Sequence, residues 1–381
     1  MSKVLLSNSK VPIEARSLKY DLIRAAAIIG VVATHAEAIT ASPTNYLGGI
    51  SWWFANLVHS FASSSVPLFV LLTGALVLKK TVVTYRYVWS KIINQFILPL
   101  IFWLLLYFWW NARRSGAEFS VNDLFSQFFY TDIGHLYYLQ VVIGLYLSLP
   151  IIHKLVRSTT DRGKFFLAAV SVVLVAGTKL ISFININWDD KTNAVLIFLP
   201  YISYLFLGSW LGSLAIKKFN LFILSFVAAL VIIILSIASY NNVVAFNNSN
   251  FLFWTEKGGS YVWDTFNIFV MMLACLVFLI LLNIETVATK LFQVGWIKTC
   301  ILVVSSLSFG IYLIHPLIMD LIDTSLGISI QFISYPLWIW YILRTSIVLV
   351  ISSVTVYVIK KTPIVRVIFG VSDNAEIRDL K

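Results

Sequence analysis

One predicted helix near the start of the chain carries three ionisable side chains on a single face. They are Asp21, Arg24 and His35, set in an apolar stretch. At about 100° per residue, Arg24 and His35 differ by about 20° around the axis, and Asp21 differs from His35 by about 40°. A guanidinium can bind an anion and a neutral imidazole can take a proton, so this face is a candidate for acid–base chemistry.

A structural interpretation of the same residues stays open. Asp21 and Arg24 lie near the end of the stretch, from which their side chains can extend to the lipid headgroups. His35 is too deep for that, and its structural alternative is a buried, hydrogen-bonded histidine. Ionisable residues inside an apolar span are costly, so each is a functional candidate until a partner is found.

Further histidines and one arginine also fall inside apolar stretches. His135 begins the fourth stretch and His315 lies past the middle of the ninth, so with the topology given below both share the outer half of the membrane with His35. No histidine spacing typical of metal ligands accompanies them, so we expect no metal. Arg344 lies within the tenth stretch and needs an ion-pair partner, a water-filled cavity or an anionic ligand.

Composition identifies the element that must position these residues as a membrane helix. Of 381 residues, 59% are hydrophobic and 12% are charged, whereas soluble domains are about a quarter charged. The net charge of +11 comes from short loops between apolar runs, which argues against nucleic-acid binding. Cys275 and Cys300 are isolated and give no disulfide framework.

Apolar segments of about 20 residues predict an all-α polytopic membrane protein of about ten transmembrane helices. We expect a single membrane domain over 1–381, with short cytoplasmic tails at about 1–18 and 361–381. The predicted spans are 19–40, 51–78, 90–111, 134–153, 164–183, 194–216, 219–240, 262–283, 301–323 and 335–359.

Basic residues alternate between the connections of these spans. The first tail, every second loop and the last tail are rich in Lys and Arg, as in the loop that holds Lys79, Lys80, Arg86 and Lys91. The intervening loops hold only Arg113, Arg114, Lys191 and Lys257. This alternation predicts that both termini are cytoplasmic.

Four motifs in order along the chain resemble those of the acyltransferase-3 family of polytopic membrane acyltransferases. Arg24–His35 is similar to its R-x₁₀-H signature, and Val66–Leu76 (VPLFVLLTGAL) is similar to its VPLFF-x-x-SG-x-L segment. His135–Pro150 resembles an HLWYL…LYL-x-x-P run, and Tyr312–Pro316 (YLIHP) a YL-x-H-P element. The HLWYL-like element points to the surface-polysaccharide O-acetyltransferase branch.

The resemblance implies a reaction and assigns residues to it. Acetyl would move from cytoplasmic acetyl-CoA, a co-substrate with no tightly bound cofactor beside it, to a surface or lipid-linked glycan. His35 and Arg24 would be catalytic. Donor binding would fall to Arg24, Lys79, Lys80 and Arg86, and the acceptor side to His135, Tyr312 and His315, for which a packing role is nearly as well supported. Asp21 and Arg344 would be buried charges.

Two departures from the family pattern change no ionisable group, namely Thr73 for Ser and Tyr137 for Trp. No SGNH-like domain is appended, so if one is required it must be a separate extracytoplasmic protein. The protein would lie in the cytoplasmic membrane. A transporter or flippase for glycans or small solutes is the alternative, since buried Arg and His suit that too. A weaker alternative is a membrane scaffold that binds partner proteins, which predicts that His35 is dispensable.

Overall fold

A computed structural model of the chain describes residues 17–37, 47–116, 134–184, 196–214, 220–247, 262–284, 292, 294–325, 336–362 and 365–370. Every regular element within these ranges is helical, which confirms the all-α prediction. The α-helices are α1 Leu18–Glu37, α2 Ile50–Ala62, α3 Ser65–Val77, α4 Tyr85–Lys91, α5 Leu98–Ser115, α6 Tyr137–Arg157, α7 Asp161–Ile184, α8 Ile202–Ser213, α9 Leu221–Asn247, α10 Ile268–Asn283, α11 Gly295–Ser325 and α12 Leu337–Lys360.

Three shorter helical turns complete the described elements. A π-helical segment, Ile92–Ile97, joins α4 to α5, and 3₁₀ turns cover Gly134–Leu136 and Val365–Phe369. In the described ranges, seven helical segments are long and apolar enough to cross a membrane. They are Ile50–Val77, Tyr85–Ser115, Gly134–Arg157, Asp161–Ile181, Leu221–Val244, Gly295–Ser325 and Leu337–Lys360. By length and composition, these helices are consistent with a polytopic membrane protein.

The other three predicted spans have helices that depart from this pattern. Helix α1 has 20 residues but carries Lys19, Asp21 and Arg24 in its first two turns. Helices α8 and α10 are short, with 12 and 16 residues. The count of ten spans and the cytoplasmic placement of both termini therefore stay predictions.

The second predicted span is two helices rather than one. Helix α2 ends at Ala62 and α3 begins at Ser65, and hydroxyls serve the exposed backbone at the break. Ser63 Oγ donates to the Ser60 carbonyl and Ser64 Oγ to the Phe61 carbonyl, both at 2.8 Å. The Phe61 carbonyl also accepts from the Ser64 amide at 3.3 Å, so the two hydroxyls supplement the backbone bonds at the point where the helix is interrupted.

Helices α3 and α8 cross at a pair of glycines. A Cβ on Gly74 would overlap the carbonyl oxygen of Leu205, and a Cβ on Gly208 would overlap that of Leu71. Small residues let membrane helices approach backbone to backbone. Gly74 belongs to the VPLFVLLTGAL motif, so this part of the motif is explained by packing.

Helix α1 packs against α11 and α12, which contact each other, and also against α2 and α3. Near its start, Ser305 Oγ of α11 donates to Asp21 Oδ1 at 2.6 Å. Near its end, Tyr341 Oη of α12 donates to the Ala33 carbonyl at 3.0 Å. Apolar residues of the three helices fill the space between these contacts, among them Ile28, Val32, Ile311, Leu313 and Val348.

Candidate functional site

Three histidines from distant parts of the chain meet at the C-terminal end of α1, here called the histidine end. The ring centroids of His35 and His315 are 5.1 Å apart. His135, in the 3₁₀ turn before α6, lies 5.5 Å from His315 and 6.4 Å from His35. The structure thus brings together the candidate base and both histidines expected on the acceptor side.

The three rings differ in exposure. His35 is solvent-accessible although the other two rings crowd one side of it, His135 is half-buried, and His315 is 0% exposed. The Nε2 atoms of His135 and His315 are buried and have no hydrogen-bond partner among the described residues. Buried polar atoms are nearly always hydrogen-bonded, so unpaired ones point to a site where another group binds.

A proline fixes the protonation of His315. Pro316 lies inside α11 and has no N–H, so the carbonyl of Tyr312 loses its usual helical donor. His315 Nδ1 lies 2.8 Å from that oxygen and 3.1 Å from the Ile311 carbonyl oxygen. Carbonyl oxygens only accept, so Nδ1 must carry the proton, and Nε2 of the neutral ring has a bare lone pair.

Tyr107 of α5 bridges the backbone of α11 at the next position after this interruption. Its hydroxyl donates to the Leu313 carbonyl at 2.8 Å and accepts from the Leu317 amide at 3.3 Å. The Tyr107 ring also lies edge-on to His135, with centroids 4.9 Å apart. Tyr107 therefore ties the interrupted part of α11 to the histidine cluster.

Tyr312 contacts the cluster through its backbone and its hydroxyl. The hydroxyl donates to the carbonyl oxygen of His135, and the side chain is buried. The bond joins the turn before α6 to α11. Its observed contact is structural, since the hydroxyl holds the backbone of His135 in place.

Arg344 of α12 closes the end of α1. Its Nη1 donates to the Ala36 carbonyl at 2.5 Å, next to His35. Its Nε and Nη2 donate to the two carboxylate oxygens of Asp323, at 3.2 and 2.5 Å. The ion-pair alternative for Arg344 therefore holds, and this two-bond contact is the strong geometry for Arg and carboxylate. A guanidinium at a helix C-terminus also satisfies a carbonyl that lacks an intrahelical donor.

The start of α1, here called the arginine end, is built differently. Arg24 Nη1 lies 3.4 Å from Asp21 Oδ1, and the Arg24 side chain is 37% exposed whereas that of Asp21 is 1% exposed. Asp21 in turn accepts from Ser305, which anchors it to α11. Asp21 is therefore a buried charge, and Arg24 projects from it with part of its surface accessible.

The predicted donor-binding lysines are spread around the arginine end. Lys79 Nζ donates to the Gly212 carbonyl and, with Lys19 and Tyr20, lines a cavity of ≈ 290 Å³. Lys80 Nζ donates to Tyr87 Oη at 3.1 Å and lies over that ring. Arg86 is exposed on α4. The cavity is lined by Lys79 but not by Arg24, Lys80 or Arg86, so the structure does not gather the four into one pocket.

Three residues that build the histidine end were not predicted from the sequence, namely Tyr107, Asp323 and Tyr341. Asp323 had a signal, because an acidic residue near the end of an apolar helix needs a partner as Arg344 does. Tyr107 and Tyr341 had none, since tyrosines are common where membrane helices meet the interface. Their roles depend on which helices are neighbours.

The sequence of this chain matches a family model described as an acyltransferase domain, over residues 18–357. The chain belongs to the acyltransferase-3 family. The matched region contains α1, α11 and nearly all of α12, so the histidine cluster and the arginine end both lie within the family domain.

Curated relatives come from Staphylococcus aureus. The proteins of strains MSSA476 and MW2, each named "Probable poly-beta-1,6-N-acetyl-D-glucosamine export protein", are 24% identical over 321 residues, which is 80% of this chain and 83% of theirs. The protein of strain MRSA252, with the same name, is 24% identical over 325 residues. No solved structure matches the chain significantly.

Proposed function

We propose that the protein is a membrane-bound O-acyltransferase of the cytoplasmic membrane. It takes an acyl group, acetyl in the simplest case, from cytoplasmic acyl-CoA to a hydroxyl of an extracytoplasmic or lipid-linked glycan. The observation that carries the proposal is the accessible His35 backed by two histidines at one end of α1, with the partly exposed Arg24 at the other. Family membership supports acyl transfer as the reaction.

The distance between the two ends suits a thioester donor. Arg24 and His35 are eleven residues apart, which is ~16 Å along a helix. Acyl-CoA carries its phosphates at one end of a long pantetheine arm and its thioester at the other. Arg24 and the lysines near it bind the anionic part, and the arm carries the thioester toward His35.

The reaction step is a proton transfer coupled to acyl transfer. Neutral His35 takes the proton of a glycan hydroxyl as the oxygen attacks the thioester carbonyl carbon. A new C–O bond forms, the C–S bond breaks, and the leaving thiolate takes the proton back from His35. Atoms and charge balance without a metal or a redox partner.

The names of the relatives support a glycan acceptor and also a second function. They are described as export proteins for poly-β-1,6-N-acetyl-D-glucosamine, so movement of a glycan across the membrane is the competing proposal. The same buried charges can line a transport path. In that case His35 would contact the glycan without acyl transfer.

One experiment separates the two proposals. The purified full-length protein in lipid vesicles is given acetyl-CoA with a labelled acetyl group and β-1,6-linked N-acetylglucosamine oligomers. The acyltransferase proposal expects label in the glycan or, without an acceptor, slow release as acetate. Movement of unmodified oligomers across the vesicle membrane, with the label left on coenzyme A, would contradict acyl transfer and support export.

A further inference from the structure

The bare Nε2 atom of His315 has no function in the mechanism so far. It is fully buried, it lacks a hydrogen-bond partner among the described residues, and its protonation is set by Nδ1 bonding back to α11. Nδ1 and Nε2 are both bonded to Cε1 and point in well-separated directions, so with Nδ1 bonded to the α11 carbonyls Nε2 is not directed at the same oxygens. Of the other two histidine rings in the cluster, His35 is the nearer to His315, at 5.1 Å between centroids against 5.5 Å for His135.

We propose that His315 is a positioning residue for His35, whose ring N–H it holds with its Nε2 lone pair. This role rests on the proposed function, in which His35 is the general base, and it identifies His315 as the residue that orients His35. Ring centroids 5.1 Å apart bring facing nitrogens to about hydrogen-bond distance after a small rotation. The accessible His35 ring has room for that rotation, and catalytic hydrogen bonds are often long in unliganded enzymes.

This bond decides which nitrogen of His35 is the base. With one nitrogen of His35 donating to His315, the other is unprotonated and faces the accessible side, where a glycan hydroxyl arrives. When His35 takes the hydroxyl proton it becomes an imidazolium, and its bond to His315 becomes charge-assisted and stronger. His315 thus takes the place that a third, orienting group has in other nucleophile–base pairs.

In this proposal, Pro316 and Tyr107 are the residues that leave Nε2 of His315 free to accept a hydrogen bond. Without a proline at 316 the Tyr312 carbonyl would have an amide donor, and the imidazole would compete for it. Tyr107 satisfies the next carbonyl and amide, so the interrupted helix keeps its shape. The family's YL-x-H-P element, here Tyr312–Pro316, therefore encodes a histidine of fixed tautomer.

Two replacements separate positioning from packing. Asparagine reproduces the Nδ1 donor and can bond back to α11, but it offers no acceptor where Nε2 lies. Glutamine reaches the Nε2 position with an amide oxygen. We expect His315→Asn to lower kcat by about tenfold to a hundredfold with little change in the KM for acetyl-CoA, and His315→Gln to keep more of the activity. Retained activity in His315→Asn, with loss in His315→Gln, would overturn the proposal.

Nitrogen NMR of the full-length protein with ¹⁵N-labelled histidine gives a readout that needs no turnover. The chain has five histidines, so single replacements assign the signals. We expect His315 with a protonated Nδ1, and one dominant His35 tautomer that becomes a mixture in His315→Asn. Met319→Leu, one turn along the same face of α11, is the packing control. An unchanged His35 tautomer in His315→Asn overturns the proposal even if both His315 variants lose activity.

The two proposals fail in different ways. If the wild-type protein transfers acetyl to no glycan, the proposed function fails while the tautomers of His315 and His35 are still measured. If it transfers acetyl and His35 shows no dependence on His315, only the positioning role fails.

Discussion

The two ends of helix α1 differ in how their polar side chains are held, by close packing at the histidine end and by exposed, individually bonded cations at the arginine end. At the histidine end, the rings of His135 and His315 pack beside His35, and α12 bonds the last carbonyls of α1. The Nε2 atoms of His135 and His315 have no partner among the described residues. At the arginine end the cations are partly or fully exposed. Lys79 bonds a carbonyl, Lys80 a phenol and Arg24 a carboxylate.

This difference corresponds to preorganisation at one end and adaptable binding at the other. Proton transfer needs a base within a narrow range of distance and angle, and rigid packing supplies it. Binding a polyanion needs positive charge more than fixed geometry, and long, mobile Lys and Arg side chains can rearrange around it. The comparison predicts sharp effects on turnover at the histidine end and graded effects on affinity at the arginine end.

The largest expected effect comes from His35→Ala. Loss of a general base typically lowers the rate about 10²–10⁴-fold, so glycan acetylation should fall by that factor while expression and melting temperature hold. The assay is label transfer by purified protein. His59→Ala is the comparison variant, because it also removes an imidazole, but one whose ring packs on Trp263, with centroids 4.1 Å apart. Transfer by His35→Ala near the wild-type rate would remove His35 from the mechanism.

Next in size is the loss of the Arg344–Asp323 pair. Arg344→Met leaves the Asp323 carboxylate and the Ala36 carbonyl without the guanidinium, and breaking a buried pair costs about 3–5 kcal/mol. Asp323 is 25% exposed on its side chain, so the lower part of that range is expected. The melting temperature in detergent is the measurement. A double variant, Arg344→Met with Asp323→Leu, should recover part of the loss, and failure to do so would show that the bond to Ala36 dominates.

A smaller change is expected from Arg24, on donor affinity alone. Arg24→Ala should weaken acetyl-CoA binding about tenfold, since a hydrogen bond to a charged group contributes about 1.5–3 kcal/mol and the 37% exposure of Arg24 favours the low end of that range. Arg24→Lys should restore part of it, because the charge returns but the forked geometry does not. Equilibrium binding of labelled acetyl-CoA tests both. Unchanged affinity in Arg24→Ala would mean that the donor phosphates bind elsewhere at that end.

The smallest effect is predicted for a second ion pair on α11. Arg114 of α5 contacts Asp320, which also accepts from Trp110 Nε1 at 2.5 Å, but the Arg114 side chain is 54% exposed. Exposed pairs contribute about 0–1 kcal/mol, so Arg114→Gln should barely move the melting temperature. The pair is also the control for Arg344→Met. Equal destabilisation by both variants would contradict the claim that burial sets the difference.

Much of the membrane architecture could be predicted from composition and periodicity. Seven of the ten predicted spans coincide with helices long and apolar enough to cross a membrane. The break between α2 and α3 was not predicted, because its serines are compatible with a continuous helix and only the packed chain shows the interruption. The shortness of α8 was missed for a similar reason, since apolar residues continue before it but form hydrogen-bonded turns instead of α-helix.

The sequence by itself determined what lies along one helix. Fixed rise and rotation per residue place Arg24 and His35 on one face ~16 Å apart, whatever surrounds them. It also indicated the family, because four motifs in order are a property of the chain. Local chemistry added the break at Pro316, which follows from a missing N–H.

Only the tertiary structure decided which side chains meet. His35, His135 and His315 lie far apart in the chain, and their contact depends on α1 packing beside α11 with the turn before α6 against both. The partner of Arg344 was decided in the same way, by the carboxylate and carbonyl oxygen atoms that packing brought within hydrogen-bond distance. Such contacts act over a few ångströms, and no regularity of spacing along the chain encodes them.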